Sequence, residues 1–577
     1  MSMKPRSDKW YGFDLDGTIA DNSAHTFGMG KIGRPVKPMC DLMKRLHEEG
    51  RRVKIFTARL SDVGSDPARQ EAVKEHIWKW CDDALGFRPE ITDRKDYKME
   101  CLYDDRAKQV VRNTGECLED LYAKLLGGAN ARESSDTDEL DDTEQRRLRM
   151  MTAEESALVG ADDEAFENVL MSRTNLDRVR GCLFGGAAGD ALGYPVEFMQ
   201  ELQIRSRYGK DGISEYELDP KTGKALVSDD TQMTLFTATG LLVGDTRGKL
   251  RGVMGPLWTY VAQHYEDWLR TQEMSLDARK AELRRELDSH KIRFQHSWLV
   301  NEPRLYHNRA PGMTCLSGIR RRLADWPHGD PTQSPVNDSK GCGGVMRVAP
   351  IGLYFSNFDR RWIDDRSAKK IIARQAAEAA AYTHGHSLGY MSAAVLAHVV
   401  NGLTYPAEGR QNPMDIKEAV YEARDAARNL FAEDRHINEL ITLVNRAIAL
   451  ADGRDDDGKC IRELGQGWVG EEALAIAIFC ALRHHDDFSA GVMAAVNHDG
   501  DSDSTGAITG NILGAHLGYA AIDNKWKKNL ELSDVILELA GDLCRKCQMH
   551  ERGPAYDSIW MAKYGCAVPG YVVRERK

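Results

Sequence analysis

The chain has 577 residues, 42% of them hydrophobic and 29% charged, a globular composition long enough for two or more domains. Its formal net charge of −11 argues against a large phosphate-backbone footprint. No apolar run reaches the ~18–20 residues that a membrane-spanning helix needs, and the polar stretch Met1 to Lys9 carries no signal-peptide pattern. The twelve cysteines are scattered, and Cys544 with Cys547 has no second pair at zinc spacing, so reduced thiols in a cytoplasmic protein are expected over a metal knuckle.

In chain order, residues 8–127 read as an α/β unit. Strands over Trp10–Asp14, Arg52–Thr57 and Cys101–Tyr103 alternate with helices over Lys37–Glu49 and Arg69–Ala84, which predicts a parallel sheet. Residues 128–172 read as an acidic linker. Glu133 to Glu144 holds acidic residues, Ser and Thr but one large apolar residue, Leu140. Thr152 with Glu155 resembles a capping box for a helix over Thr152–Leu170.

Residues 173–577 read as an all-α domain. Helices rich in Ala, Gly and Leu are expected over Asp177–Ala188, Thr231–Leu242, Lys369–Tyr382, Ser387–Val400, Glu471–Ala481 and Thr505–Ala520. Small residues at three- and four-residue spacing let such helices pack closely. The piece Gly255–Arg309 is expected to be an inserted helical segment. Its charges (Glu266, Asp267, Arg279, Lys280, Arg284, Arg285) read as a solvated face.

Chemistry first collects at the end of the first strand, in Phe13-Asp14-Leu15-Asp16-Gly17-Thr18. Ligands in open α/β sheets gather at the carboxyl ends of strands. Phe56-Thr57-Ala58-Arg59, Lys95 and Tyr103-Asp104-Asp105-Arg106 follow in order. This ordered set resembles the haloacid-dehalogenase-like (HAD) phosphatase superfamily over residues 8–127. The resemblance implies Asp14 as a nucleophile forming an aspartyl-phosphate and Asp16 as general acid/base. It implies Thr57 and Lys95 on the phosphate, with Lys98 competing for the Lys95 role, and one Mg²⁺ on Asp14, Asp104 and Asp105. The short gaps between motifs leave room for a small cap or none, so a bulky phosphorylated substrate such as a nucleic-acid end or a modified protein fits.

Two further acidic clusters stand far apart in sequence: Ser228-Asp229-Asp230-Thr231 and Asp501-Ser502-Asp503-Ser504. Each packs carboxylates and hydroxyls at the start of an apolar run of small residues. Helix N-caps with solvated acidic turns are the plain explanation; a hard divalent cation between the clusters is the sharper one. Three other segments belong with them: Gly185 to Glu197 with Asp190 inside it, Gly341 to Arg347, and Thr383-His384-Gly385-His386. Together the five resemble the ADP-ribosylglycohydrolase family, which includes the dinitrogenase reductase-activating glycohydrolases.

That resemblance implies two Mg²⁺ or Mn²⁺ ions held by Ser228, Asp229, Asp230, Asp501, Asp503 and Ser504, with Ser228 and Ser504 where many members have Thr. It implies substrate contacts from Asp190, the glycine loop Gly341, Gly343 and Gly344 with Val345, Met346 and Arg347, and His384. Gly467–Glu471 is expected to supply adenine contacts. Glu197 is either a catalytic assistant or a surface glutamate after Pro195. The expected activity is metal-dependent removal of ADP-ribose from a protein, nucleic acid or small adduct, fused to a phosphatase acting on a phosphate ester. Nucleic acid enters as a substrate only. The alternative is an ADP-ribose- or phosphate-binding regulatory or anti-defence protein with one inactive domain.

Overall fold

A computed structural model describes residues 10–16, 19–20, 32–48, 50–57, 59, 67–93, 99–103, 163–289, 294–324, 329–356, 365–407, 410, 412–549 and 557–568. The chain divides into two compact units, Met1–Asp142 and Thr143–Lys577. The capping-box helix expected over Thr152–Leu170 begins outside the described residues, which resume within it at Asp163.

In the first unit, β1 (Trp10–Asp14), α1 (Lys37–Glu48), β2 (Arg52–Phe56), α2 (Pro67–Ala84), β3 (Glu90–Thr92) and β4 (Met99–Tyr103) alternate along the chain. The four strands lie in the order β3-β2-β1-β4, and every pairing is parallel. Parallel strands need crossovers of a dozen or more residues, which α1 and α2 supply. Phe13, Met39, Met43, Ile55, Ile77 and Cys81 form the buried core between sheet and helices. Strand β3 was not expected, because three residues are too few to show alternation. The register pairs Asp14 with Phe56 and Phe13 with Tyr103, so the ends of three strands share one edge of the sheet.

The helices that bear on the site of the second unit are α3 (Asp163–Gly193), α4 (Asp229–Arg251), α5 (Leu257–Glu273), α6 (Leu276–Asp288), α7 (Asp365–Ala381), α8 (Ser387–Thr404), α9 (Gly470–Arg483) and α10 (Ser502–Leu517). Helix α8 is buried on every side, as is most of α4, which explains apolar runs with no polar stripe. Helix α10 stops at Leu517, short of the expected Ala520, because Gly518 turns the backbone to a φ of 85°.

Helices α3 and α10 pack antiparallel through glycines four residues apart. A Cβ on Gly189 would lie 2.0 Å from the Gly506 carbonyl oxygen; one on Gly510 would lie 2.0 Å from that of Gly185. The same clash recurs between Gly181 and Gly514. Only glycine lets the two backbones approach so closely, and this contact carries the end of α3 to the start of α10.

The expected solvated face on Gly255–Arg309 is corrected in part. Arg284 and Arg285 are exposed, but Glu266, Asp267 and Arg279 are buried. Arg279 donates to Asp267 at 2.7 Å. His296 bonds Asp267 at 2.8 Å through Nδ1 and Glu286 at 3.0 Å through Nε2. These charges tie α5, α6 and the following loop together. Their pairing depends on chain reversal between α5 and α6, which a charge count along the sequence does not reveal. Among the described residues, no helix is long and apolar enough to cross a membrane.

Candidate metal centre

Both acidic clusters begin helices. Ser228 caps α4, its Oγ accepting from the Asp230 N–H at 3.2 Å; Asp501 caps α10, its Oδ1 accepting from the Ser504 N–H at 3.2 Å. The positive ends of the two helix dipoles therefore face the clusters. Both clusters do cap helices, but their acidic turns are buried rather than solvated, and the capped ends converge. Asp190, from the last turns of α3, accepts from the Ser228 N–H at 3.0 and 3.1 Å, from the Thr231 N–H at 3.1 Å and from the Thr231 hydroxyl. Expected among the substrate contacts, Asp190 instead has both oxygens engaged in fixing the start of α4.

Glu197, Asp501 and Asp503 each present a carboxylate oxygen within 4.8 Å of the other two. Ser228 lies within hydrogen-bonding reach of Asp503, which joins the two clusters. Asp229 Oδ2 accepts from the Gly312 N–H at 3.1 Å. Glu197, Asp229, Asp230, Asp501 and Asp503 are only 3–8% exposed. Glu197 is thus no surface residue; the short turn Tyr194–Val196 carries it inward. Burial, followed by the charges of Asp503 and Asp501, pushes its carboxyl up to about 10. Burial and Asp503 raise Asp190 to about 7, and burial with neighbouring carboxylates raises Asp229, Asp230 and Asp501 well above the usual range.

Among the described residues, no lysine or arginine pairs with any of the five. Asp230 Oδ1 and Glu197 Oε2 are buried with no hydrogen-bond partner. A set of buried carboxylate and hydroxyl oxygens, some lacking donors, matches the chemistry of Mg²⁺ or Mn²⁺. Ser504 lies against the set, its N–H donating to Asp503 Oδ1 at 2.9 Å.

The glycine loop stands beside this centre, tethered to the segment before α9. The Cys342 N–H donates to the Trp468 carbonyl at 3.2 Å and the Gly470 N–H to that of Lys340 at 2.7 Å. A Cβ on Gly343 would lie 2.8 Å from Cys315 Sγ and 2.9 Å from His384 Cε1, so the glycine makes room for those side chains. His384 is buried, bonded through Nδ1 to Thr383 Oγ1 at 2.8 Å. Burial and the nearby Arg347 lower its pKa to about 3, so the ring is neutral.

Val345, Met346 and Arg347, expected among the substrate contacts, have their side chains buried in the core. Arg347 donates to Thr383 Oγ1 at 2.6 Å and lies 4.3 Å from the centre of the Tyr265 ring. Met346 Sδ meets Ser504 Oγ at 3.9 Å. A conspicuous motif arginine reads as a ligand contact, but this one locks the loop to α5 and the end of α7.

Three further residues stand at the site that the sequence did not single out individually. Cys342 Sγ lies 2.7 Å from Asp501 Oδ2. Phe198, directly after Glu197, is 74% exposed and stacks on Trp468, 39% exposed, with ring centres 5.7 Å apart. Trp468 falls inside the segment expected to contact adenine; Phe198 carries no sequence signal, since single exposed aromatics are ordinary.

In the first unit, Asp14 ends β1, and Thr57 directly follows β2 with its hydroxyl accepting from the Arg59 N–H at 3.2 Å. Asp16, expected as the acid/base, accepts from Arg59 at both its oxygens, at 2.7 and 2.6 Å. Lys95, Lys98, Asp104 and Asp105 lie outside the described residues.

The model of the ADP-ribosylglycohydrolase family matches residues 171–553, the helical unit that holds these buried carboxylates. The chain belongs to the ADP-ribosylglycohydrolase family. It is similar to an uncharacterized protein of Archaeoglobus fulgidus (25% identity, 64% of this chain and 96% of the relative). It is also similar to the ADP-ribosyl-[dinitrogen reductase] glycohydrolase of Rhodospirillum rubrum (22%, 63% and 97%) and to the ADP-ribosylhydrolase ARH3 of Gallus gallus (25%, 41% and 66%). A solved structure titled ADP-ribosylglycohydrolase-related protein complex aligns at 24% identity over 65% of this chain and 99% of its own, with a TM-score of 0.42.

Proposed function

We propose that the helical unit is a metal-dependent hydrolase that removes ADP-ribose from a modified protein, nucleic acid or small adduct. The observation that carries this reading is the set of five buried carboxylates, two of them (Glu197 and Asp230) with an unpartnered oxygen and none paired with a lysine or arginine among the described residues. Ser228, Asp229, Asp230, Asp501, Asp503 and Ser504 would hold two Mg²⁺ or Mn²⁺ ions. When bound, such ions supply Lewis-acid polarisation of ribose hydroxyls and of water. Asp190 positions Ser228 and Thr231 and so fixes the start of α4. Glu197, with one oxygen that no protein donor meets, would orient the attacking water and accept its proton only once bound cations offset the burial and the Asp503 and Asp501 charges that keep its carboxyl protonated.

A water oxygen bonds to the anomeric carbon, the bond to the aglycone breaks, and a proton passes to the leaving group through an oxocarbenium-like transition state. The backbone N–H groups of Gly343 and Gly344 would face pyrophosphate oxygens, those of Gly341 and Cys342 being held by Ser339 and Trp468, and His384, which stays neutral, holds that loop in shape. The exposed Phe198–Trp468 pair offers an aromatic surface for a planar ring of the substrate.

The test is ADP-ribose release with Mg²⁺ or Mn²⁺ from arginine-, serine-, thymidine- and guanosine-linked ADP-ribose. Asp229→Ala/Asp503→Ala is the inactive control. Release by the double variant would overturn the assignment.

For the first unit the reading is a HAD-type phosphatase, with Asp14 as nucleophile, Asp16 as acid/base, Thr57 and Lys95 on the phosphate, and one Mg²⁺ on Asp14, Asp104 and Asp105. The four-stranded parallel sheet with Asp14 at the end of β1 supports it. The Asp16–Arg59 pair favours a second reading, a unit that binds a phosphate without hydrolysing it. Phosphate release from a panel of phosphorylated ADP-ribose and nucleic-acid ends, lost in Asp14→Asn, decides for hydrolysis; binding without release decides for the second reading.

A further inference from the structure

Asp229 is held from outside its own helix. Its N–H donates to the Arg309 carbonyl at 3.2 Å, and its Oδ2 accepts from the Gly312 N–H at 3.1 Å. The same loop meets α4 one turn further on, where Gln232 Nε2 donates to the His307 carbonyl at 3.2 Å. Residues 307–312 therefore clasp the start of α4.

An ion pair fixes the clasp. Arg309 donates to Glu531 Oε1 at 3.3 Å, and the other oxygen of Glu531 accepts from the Val227 N–H at 3.3 Å. Val227 directly precedes the Ser228–Thr231 cluster. One buried carboxylate thus joins the clasp to the chain that enters α4. Backbone bonds hold Glu531 there: the Ala225 N–H donates to the Asn529 carbonyl at 2.8 Å, and the Glu531 N–H to the Ala225 carbonyl at 2.9 Å.

The backbone around this pair is strained. Among the described residues, four other than glycine have a positive φ, and three of them flank the pair. Ala310, beside Arg309, stands at 50°; Asn529 and Leu532, on either side of Glu531, stand at 63° and 58°. Left-handed backbone is costly for a residue with a Cβ, and most of all for a bulky one such as Leu532. It persists where the surroundings over-determine it, and such sites cluster at ligand clamps.

We propose that Arg309 and Glu531 are positioning residues for the metal ligand Asp229. The pair reaches Asp229 through backbone, by way of the Arg309 carbonyl, the Gly312 N–H and Val227, and so sets where its carboxylate stands. The inference rests on reading the acidic cluster as a metal centre.

The experiment measures Mn²⁺ dissociation constants of the full chain by electron paramagnetic resonance of the free ion, with urea unfolding of each metal-free protein to show that it is folded. Glu531→Gln and Arg309→Met should weaken binding by about 10–100-fold, as loss of an outer partner of a metal ligand does, and Arg309→Lys, which keeps the charge, should restore most of it. The control is Asp534→Asn, which breaks the neighbouring pair on the same loop, where Arg304 donates to both Asp534 oxygens at 2.8 Å. Its Mn²⁺ affinity should equal that of the wild type. Wild-type affinity in Glu531→Gln, or equal weakening in Asp534→Asn, overturns the proposal and leaves the metal-centre reading standing. Should Glu531→Gln not fold, equal affinities of Arg309→Met and Arg309→Lys overturn it in the same way. Failure of the wild-type chain to bind Mn²⁺, or undiminished binding by Asp229→Ala/Asp503→Ala, overturns the metal-centre reading itself and this proposal with it.

Discussion

At the edge of the N-terminal sheet, Asp16 meets Arg59, which donates to both its oxygens in a largely buried ion pair. In the helical unit, Glu197, Asp229, Asp230, Asp501 and Asp503 are buried together, and among the described residues none has a lysine or arginine partner. The same unit pairs buried charge elsewhere: Asp267 meets Arg279 at 2.7 Å and His296 at 2.8 Å. Among the described residues the fold therefore supplies counter-charges to buried acids such as Asp16 and Asp267 and supplies none to these five. A buried, uncompensated carboxylate is among the costliest groups a protein can hold, which makes an external cation the economical explanation of the five.

The largest effect expected from breaking this contrast is on activity. Asp229→Ala/Asp503→Ala removes a carboxylate from each cluster. ADP-ribose release should fall by more than about 100-fold, beyond the 10–100-fold typical of losing an outer partner of a metal ligand. Chelation of the wild-type protein should match it, with activity restored by Mn²⁺ to the wild type alone. Initial rates on the most active linkage give the measurement.

Next is the scaffold that brings the clusters together. In Gly189→Ala the new Cβ would lie 2.0 Å from the Gly506 carbonyl oxygen, where only backbone displacement relieves the clash. Separating α3 from α10 moves Asp190 away from the start of α4 and Glu197 away from Asp503. The expected loss is about 3–5 kcal/mol, in the range of exceptional core substitutions, read from urea unfolding together with loss of Mn²⁺ binding. A stable Gly189→Ala protein with intact Mn²⁺ binding would break the link between the glycine contact and the centre.

The sequence makes the centre legible because both clusters are short contiguous runs at helix starts, and helix N-termini impose the same Ser/Asp residues that a hard cation does. Glycines four apart in Gly181–Gly193 and Gly506–Gly514 likewise announce close helix packing. The roles of Asp190, Arg347 and His384 were less legible. Each lies in a motif beside the site, yet what it meets there depends on residues 36 to 41 positions away. Burial of Asp267 and Arg279 was hidden for the same reason, since the charge run is periodic along α5 and α6 but the partner helix is not visible in it.

Removing the counter-charge in the first unit sharpens the comparison from the other side. Arg59→Ala leaves Asp16 without its bidentate partner in a site where both side chains are about one-tenth exposed. A loss of about 2–4 kcal/mol is expected, smaller in Arg59→Ala/Asp16→Asn, because an unpaired buried charge costs more than no charge. Denaturant unfolding of the four proteins forms a double-mutant cycle, and additivity would show the pair to be energetically idle.

The paired network of the helical unit adds a pH signature. Burial disfavours a charged His296, but Asp267 and Glu286 outweigh it and raise the imidazole to about 9. A folded value above the ordinary 6.5 means stabilisation that is complete below pH 6.5 and lost as pH rises through 9. Roughly 2–3 kcal/mol should disappear across that window. Asp267, held down to about 2 by His296 and Arg279 against its burial, contributes in the opposite direction, at the acid end. Unfolding midpoints between pH 6 and 10 should fall steeply for the wild type and little for His296→Gln.

The smallest expected effect separates a functional charge from a structural one most cleanly. Asp230 Oδ1 is buried without a donor, and burial with its carboxylate neighbours disfavours the ionised form. In metal-free protein, Asp230→Asn removes that repulsion while keeping the shape of the side chain, so the variant should be more stable by about 1 kcal/mol. That gain reverses once Mn²⁺ is present: at 100 times its dissociation constant a bound ion stabilises the wild type by about 2.7 kcal/mol, and the variant, short of one ligand, gains less. Thermal unfolding of both proteins with and without Mn²⁺ reads the crossing directly. If Asp230→Asn is less stable without metal, the carboxylate belongs to the fold in the way Asp267 does, and the contrast between the two kinds of buried acid disappears.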